Sequence, residues 1–414
     1  MLIVYPLASK THTEEYYNKV LYEYEKALSR FENIKIHRVI TSKEQIEEIT
    51  YAEKDLPVLL FLTGGTSRLG LEIAKKHNKP VILVAHGEHN SLPSTLSCKG
   101  KCNLLNIPNI TLYSNKPQEI VGEFSKVYRA YSTYEFIKSL RILLIDRKEK
   151  TEDAQLLEKS IKSIKIIPIP PEIIDEKLNS SSEEAVENVM RQLTETANLD
   201  PKYLSYIKLI IRYYLVFKEL IRKHHAKALA LDCFEFISRR NITPCLPLAL
   251  LNGEGIPAAC EEDYHSLLMM VISQKLTNTS GWIGNPSAID GDSIVFAHCT
   301  IASTLLRTMK LVPHFETGLP IAVTGELVGY KKALLTRITY DYKELVIYPC
   351  EIVKSGLLSN YRCRMQIYLK LDNMKPEDFI KSAKGNHHVL ILENKVIDEL
   401  KYIAKMLGLR VTVY

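Results

Sequence analysis

The amino-acid sequence predicts an α/β protein, with Rossmann-like N-terminal α/β domains and a C-terminal antiparallel β-barrel-like domain. Three observations lead there. Short, wholly apolar runs alternate with amphipathic helical stretches through the first two thirds of the chain, the pattern of a parallel sheet covered on both faces. From about residue 290, β-rich segments follow one another at short spacing. The last stretch returns to strand, helix and strand. For 414 residues, roughly two to four domains are expected. The texture divides them as 1–138, 139–290 and 291–414.

In the first domain, "LIVYPLA" reads as a strand and "TEEYYNKVLYEYEKALSRF" as a helix with a Tyr/Val/Leu stripe. "IKIHRVI", "PVLLFLT", "PVILVAH" and "NITLY" continue the sheet. Two loops stand out. In "FLTGGTSRLG", Gly64, Gly65, Thr66 and Ser67 lie between a strand and a helix. They make either a tight turn with an N-cap or a cradle for a phosphate or sugar hydroxyl. The loop is neither GxGxxG nor a Walker motif, which excludes a dinucleotide or NTP site. In "AHGEHNSLPSTLS", His86, His89, Asn90 and Ser91 follow a strand.

In the second domain "SLRILLIDR" and "SIKIIPIP" read as strands, and Ser181-x-x-Glu184 as a capping box. A long helix, "KYLSYIKLIIRYYLVFKELIRKHH", leads to the strand "AKALALDCF". The third domain contributes the strands "SIVFAHCTI", "LPIAVTGELV", "KALLTRITYD", "ELVIYPCEIV" and "RCRMQIYLKL". It closes with "HVLILEN", "KVIDELKYIAKMLG" and "LRVTVY" as strand, helix and strand. No fixed-period repeat is present.

Composition narrows the function classes. At 46% hydrophobic and 25% charged residues the chain is ordinary globular material. The net charge of +6 is spread out, and no Lys/Arg run alternates with aromatics, so a nucleic-acid face is not expected. "MLIVYPLAS" lacks a basic leader and is too short to span a bilayer, which points to a cytoplasmic protein with no membrane partner. Of the eight cysteines only Cys98 and Cys102 are close, in "CKGKC", which is not a zinc-pair spacing; reduced thiols are expected.

Four places set polar groups at the end of an apolar run. "ALALDCFEF" carries Asp232 and Glu235, "IPAACEEDYHS" carries Glu261, Glu262 and Asp263, "IVFAHCT" carries His298, and "KSAKGNHHVLI" carries His387 and His388. Each alone has an ordinary explanation: a turn residue, acids favourable at a helix N-terminus, a satisfied polar side chain. Together, carboxylates and imidazole from separate loops suit a divalent cation, Mn²⁺ before Mg²⁺, rather than zinc.

The stretch "DCFEFI…TPCLPLALLNGEGIPAACEEDYHSLLMMVI" resembles the metal-binding core of the L-fucose isomerase-like proteins, whose looser relatives are the L-fucose and L-arabinose isomerases. "LTGGTS", "HNSLPSTLS", "AHCT", "PHFETGLPIAVTGEL", "YRCRMQIYLKLD" and "GNHHVLILENKVIDELKYIAKMLGLRV" agree in the same order. The likeness covers nearly the whole chain. It is strongest over 228–270 and 296–414, and weakest over 145–200, where the chain is shortened.

The resemblance implies a divalent cation, usually Mn²⁺ with Mg²⁺ or Co²⁺ possible, held by two acids and a histidine. Asp263 and His387 stand at a matching acid and histidine, and Glu261 matches a ligand of the arabinose-isomerase relatives. The other acid falls on Asp232, with Glu235 the alternative. It places His298 near the sugar, with His314 and Glu316 contributed by the β-rich domain. Loops 63–67 and 89–91, with Thr66, Asn90 and Ser91, would close over a site on a neighbouring subunit, since relatives are trimers or hexamers. Two positions depart from the family: Thr300 stands where glycine is usual, and Ser97 where an acid is usual.

The implied activity is aldose–ketose isomerisation of a pentose or deoxyhexose through a cis-enediol. Asp232, Asp263 and Glu261 are the expected acid/base groups, and a homo-oligomer is the expected assembly. The alternatives on the same residues are a metal-dependent sugar lyase or aldolase, and a sugar-binding homologue without catalysis.

Overall fold

The computed structural model describes all residues except Arg30, Ser180 and Ser181, and the side chains of Asn179 and Asn198. The chain divides into two compact units, Met1–Glu135 with Asp398–Leu409, and Phe136–Ile397 with Arg410–Tyr414.

The first unit is a five-stranded parallel sheet built from β1 (Leu2–Leu7), β2 (Ile34–Ile36), β3 (Leu56–Phe61), β4 (Val81–Ala85) and β5 (Asn109–Tyr113). The order is β2-β1-β3-β4-β5. β1, β3 and β4 are buried along their whole length, which is why their sequences run apolar without alternation. The helices are α1 (Glu14–Leu28), α2 (Lys43–Glu47), α3 (Ser67–His77), α4 (Ser91–Leu104) and α5 (Pro117–Lys138). Gly70 of α3 is needed where it is: a Cβ there would meet the Phe61 ring at 2.8 Å.

The second unit opens with another parallel sheet. Its strands are β6 (Arg141–Ile145), β7 (Lys165–Ile169), β9 (Ala228–Leu231) and β10 (Ala258–Ala259), in the order β10-β9-β6-β7. The helices between them are α6 (Glu152–Ser160), α7 (Pro171–Asn179), α8 (Glu183–Thr196), α9 (Leu204–Lys223), α10 (Cys233–Arg240) and α11 (Cys245–Gly253). The short β8 (Ala197–Asn198) leaves this layer to pair with β13 (Met309–Val312), which also pairs with β14 (Ala322–Thr324). The expected capping box at Ser181 falls outside the described residues. α8 is capped by Ser182, which accepts from the Ala185 N–H.

After α12 (Tyr264–Thr277) comes the antiparallel part: β11 (Trp282–Asp290), β12 (Ser293–His298), β15 (Lys332–Ile338), β16 (Glu344–Gly356), β17 (Met365–Leu371) and β18 (His388–Ile391). They pair in the order β15-β18-β11-β12-β17-β16, and β16 pairs back to β15, closing a six-stranded barrel. α13 (Pro376–Ser382) lies between β17 and β18; α14 (Ile397–Met406) then leads to β19 (Arg410–Val413), which joins β16 in parallel.

One feature differs from the sequence expectation. Trp282–Asp290, with Gly284 and Pro286, shows no alternation, yet it is a barrel strand bulged between Pro286 and Ala288. Pro and Gly interrupt the pattern because they sit at that bulge and where Trp282 packs back on the strand. The closing strand, helix and strand are β18, α14 and β19, with β18 a central barrel strand between β15 and β11.

One apolar cluster runs through the second unit from Leu143 and Leu229 of the sheet, through Phe217 and Phe236, to Phe296, Ile367 and Leu390 of the barrel. Sheet and barrel therefore share a core, and truncating a member to Ala costs about 2–5 kcal/mol. This shared core fixes the ends of β9, β10, β12 and β18 relative to one another. No described helix is long and apolar enough to cross a membrane.

Candidate metal centre

Four strand ends of the second unit meet. β10 ends in the turn 260–263, β12 ends at His298, and β18 is preceded by His387. The 260–263 turn is unusual. Glu261 and Glu262 both have left-handed backbones, with φ of 54° and 52°, which costs an L-residue roughly 1 kcal/mol or more each. The Glu262 N–H holds the turn to the Leu231 carbonyl at the end of β9, at 2.9 Å, and the Asp263 N–H bonds Cys260 O at 3.2 Å. Asp263 then caps α12 by accepting from the Ser266 N–H at 2.9 Å.

The turn throws Glu261 between two imidazoles. Its carboxylate lies 3.6 Å from His298 Nε2 and 3.4 Å from His387 Nε2. One ligand atom from each of Glu261, His298 and His387 lies within 4.8 Å of the others. Both histidines are buried, at 5% exposure each.

Asp263 stands one step behind. Its Oδ2 takes the His387 Nδ1 proton at 2.7 Å and the Ser266 hydroxyl at 2.7 Å, and His265 Nδ1 is 3.7 Å from its other oxygen. With its Nδ1–H given to Asp263, His387 turns Nε2 toward Glu261, and that nitrogen is available to an ion once it has released its own proton. His387 Nε2 is buried and has no hydrogen-bond partner.

The charges follow from this geometry. Burial would raise the Glu261 carboxyl, but His298 and His387 outweigh it and hold it well below the carboxylate range. Burial likewise opposes ionisation of Asp263, and His265, His387 and the Ser266 N–H reverse it. Burial pushes His387 down, and the Asp263 and Glu261 carboxylates push it further the other way, to about 9.

These residues fit a divalent ion. Two ligands about 2.1 Å from one ion stand about 3.0–3.4 Å apart at 90–110°, close to the separations of Glu261 from the two histidines. An orphaned buried nitrogen and a carboxylate with two imidazoles are also a donor set for a divalent transition ion. On His298 the Nδ1 accepts the Cys299 N–H at 3.0 Å, so a neutral ring carries its proton on Nε2, and ligation through Nε2 requires the other tautomer, with the Cys299 bond given up.

Asp232 and Glu235 are gathered elsewhere at the same strand ends. Asp232 caps α10, accepting from the N–H groups of Phe234 and Glu235 at 3.0 and 3.2 Å. Arg147, just after β6, donates to Asp232 at 3.1 Å, to Glu262 at 3.0 Å and to Glu235. Thr151 and Tyr264 also donate to Glu262. One guanidinium thus serves three carboxylates from two segments.

Of the expected sugar contacts, His298 joins Glu261 and His387. His314 is buried and shares a hydrogen bond with Thr317 Oγ1 at 3.1 Å, while Glu316 is exposed. His388 points into the barrel among Phe296, Tyr348 and Phe379. Thr300 donates to Cys245 O at 2.8 Å, and its carbonyl takes the Trp282 indole N–H. Ser97 is exposed on α4.

In the first unit the Thr66 hydroxyl is buried, bonding Thr63 O at 2.8 Å and Ser94 Oγ at 3.0 Å. Ser91 Oγ serves Phe61 O and the His86 N–H. Asn90 begins α4 with a left-handed backbone, packed close on Gly64.

Arg147, Thr151, Cys260, His265 and Ser266 were not legible as site residues. Only Arg147 had a signal: a basic residue at the carboxyl end of a parallel strand, in "LLIDRK".

No family model matches the chain. Its sequence is 23% identical over 439 aligned positions, covering 94% of each protein, to the sulfoquinovose isomerase of Clostridium sp. (strain MSTE9).

Proposed function

We propose that this chain is a divalent-metal-dependent aldose–ketose isomerase of the L-fucose isomerase-like type, working through a cis-enediol. The observation that carries the proposal is the buried Glu261–His298–His387 group with the unpartnered His387 Nε2 aimed at Glu261. Similarity along nearly the whole length to a sugar isomerase supports it.

The ion would be held by Glu261, His298 and His387, with Asp263 orienting His387. When bound, a divalent cation supplies Lewis-acid charge to the sugar oxygens at C1 and C2. The protein does the rest. Isomerisation moves one proton between C1 and C2, and a second between their oxygens, so a base must take a proton and an acid return it. Glu261 is kept ionised by its two imidazoles, as a ligand of the ion must be. Asp263 anchors His387, so the imidazole cannot rotate during turnover. Arg147 gathers Asp232, Glu235 and Glu262 beside the turn, and Asp232 is the carboxylate proposed to trade a proton with the sugar hydroxyls.

The substrate proposed is a pentose or deoxyhexose. Sulfoquinovose, the sugar in the relative's name, is a 6-deoxyhexose bearing a sulfonate and belongs in the first panel. Asn90, Ser91 and Thr66 are retained as sugar-contact proposals within a homo-oligomer, as are His314 and Glu316. The three-domain division is retained likewise.

The test is proton NMR of aldoses and their ketoses with metal-stripped protein and with Mn²⁺, Mg²⁺ or Co²⁺ restored. Metal-dependent interconversion of one aldose–ketose pair is expected. Two fragments in place of one ketose would establish a lyase instead.

A further inference from the structure

A cavity of about 760 Å³ lies in the second unit, at the end of the parallel sheet opposite the candidate metal centre. Ala226 and Lys227 line it just before β9, and Ile256 and Pro257 just before β10. Asp232 and the 260–263 turn lie at the other ends of those two strands. The volume is that of a small-molecule site.

Its lining has two characters. Phe136, Leu215, Ile221, Ile256, Pro257 and Val271 make an apolar wall. Around it stand Lys218, Arg222, Lys227 and Lys275, with His225, against the single carboxylate of Glu219. That carboxylate is already paired with Lys177, and Lys218 is paired with Glu254 at 2.8 Å. Lys275 sits over the Phe136 ring at 4.7 Å. The Arg222 and Lys227 side chains have no ion-pair partner among the described residues. Unpaired cations beside an apolar wall attract an anion with an organic body.

The wall is fixed in place beside these cations: Gly255, with φ of 80°, lets the chain pass within van der Waals reach of the Gln274 amide, which lines the cavity.

We propose that this cavity binds a small phosphorylated ligand with a ring body, its phosphate on Arg222 and Lys227 and its ring against the wall of Ile256, Pro257 and Val271. The shared chemistry is that of a nucleoside monophosphate. The site is independent of the isomerase proposal.

The probe is adenosine 5′-monophosphate, titrated by calorimetry into the full-length protein, with adenosine and inorganic phosphate as partial ligands. AMP is expected to bind at least tenfold more tightly than either part. The Arg222→Ala/Lys227→Ala variant, whose changes are at exposed side chains, should lose at least tenfold. Metal-stripped protein and Glu261→Gln should bind AMP unchanged, which separates this site from the metal centre. Failure of AMP to bind, binding no tighter than inorganic phosphate, or unchanged affinity in the double variant would each overturn the proposal.

Discussion

Asp263 Oδ2 lies 2.7 Å from His387 Nδ1, a bond joining the cap of one helix to the residue before a barrel strand 124 positions later. The same carboxylate caps α12 and fixes which nitrogen of His387 is free. One side chain therefore serves the fold and the site, and the two roles can be separated. Asparagine caps helices as well as aspartate, but it cannot supply the charge that His387 sees. Asp263→Asn should leave the melting temperature within a few degrees and weaken metal affinity or turnover about 10–100-fold. Metal titration and a thermal melt on the same sample check this, and full activity in metal-replete Asp263→Asn contradicts it.

Glu261→Gln keeps the shape of the side chain and removes the charge between His298 and His387. Bound divalent metal after purification should fall to background, as read by elemental analysis, with unchanged far-ultraviolet circular dichroism. Retention of wild-type metal content would place the ion elsewhere.

Arg147 is 24% exposed and meets Glu262, which is 10% exposed, together with the more open Asp232 and Glu235. Removing one partner of a fully buried pair costs about 3–5 kcal/mol, and partial solvation reduces that here to about 2 kcal/mol. Arg147→Met should lose about that much in urea unfolding. Arg147→Lys should recover only a part, because a point charge cannot bond three carboxylates in a fork. Stability within 0.5 kcal/mol of wild type, roughly the size of a neutral surface change, would show that the cluster is ornamental.

His77 gives the first unit a pH dependence. It is 3% exposed, its Nε2 shares a hydrogen bond with Tyr5 at 3.0 Å, and burial pushes it down to about 4. The unfolded chain binds that proton near pH 6.5, so the stability from neutral His77 is complete above 6.5 and is lost as pH falls toward 4. The expected loss is about 3 kcal/mol. Unfolding of the isolated substitution His77→Gln, compared with wild type across this range, should show a flatter profile. Parallel profiles would contradict the assignment.

How much of this was legible follows from the range of the forces involved. β1, β3 and β4 announced themselves because strands buried on both faces need unbroken apolar sequence. β11 did not, because Gly284 and Pro286 mark a bulge that only the paired strands reveal. The acids 261–263 were visible as charges at the mouth of an apolar helix, yet their separate tasks were not. Two successive left-handed residues send Glu261 to the histidines, Glu262 to Arg147 and Asp263 to the helix cap. The pairings of Arg147 span 85 to 115 residues and leave no local trace. His298 was expected beside the sugar and lies within the candidate ligand group, because the end of β12 is brought to the 260–263 turn by the core that barrel and sheet share.

The isomerase proposal is tested most directly by measuring bound metal and turnover on one preparation. Wild-type protein and Glu261→Gln are analysed for Mn, Mg, Co, Fe and Zn, stripped with chelator, and assayed by NMR on sulfoquinovose, L-fucose and L-arabinose with each metal restored. The proposal predicts near-stoichiometric metal in the wild type and aldose–ketose interconversion that stops on stripping, returns with metal, and is missing in Glu261→Gln. Wild-type protein that retains no metal and interconverts no sugar with any ion would contradict it, leaving Glu261, His298 and His387 as a buried ion-paired cluster.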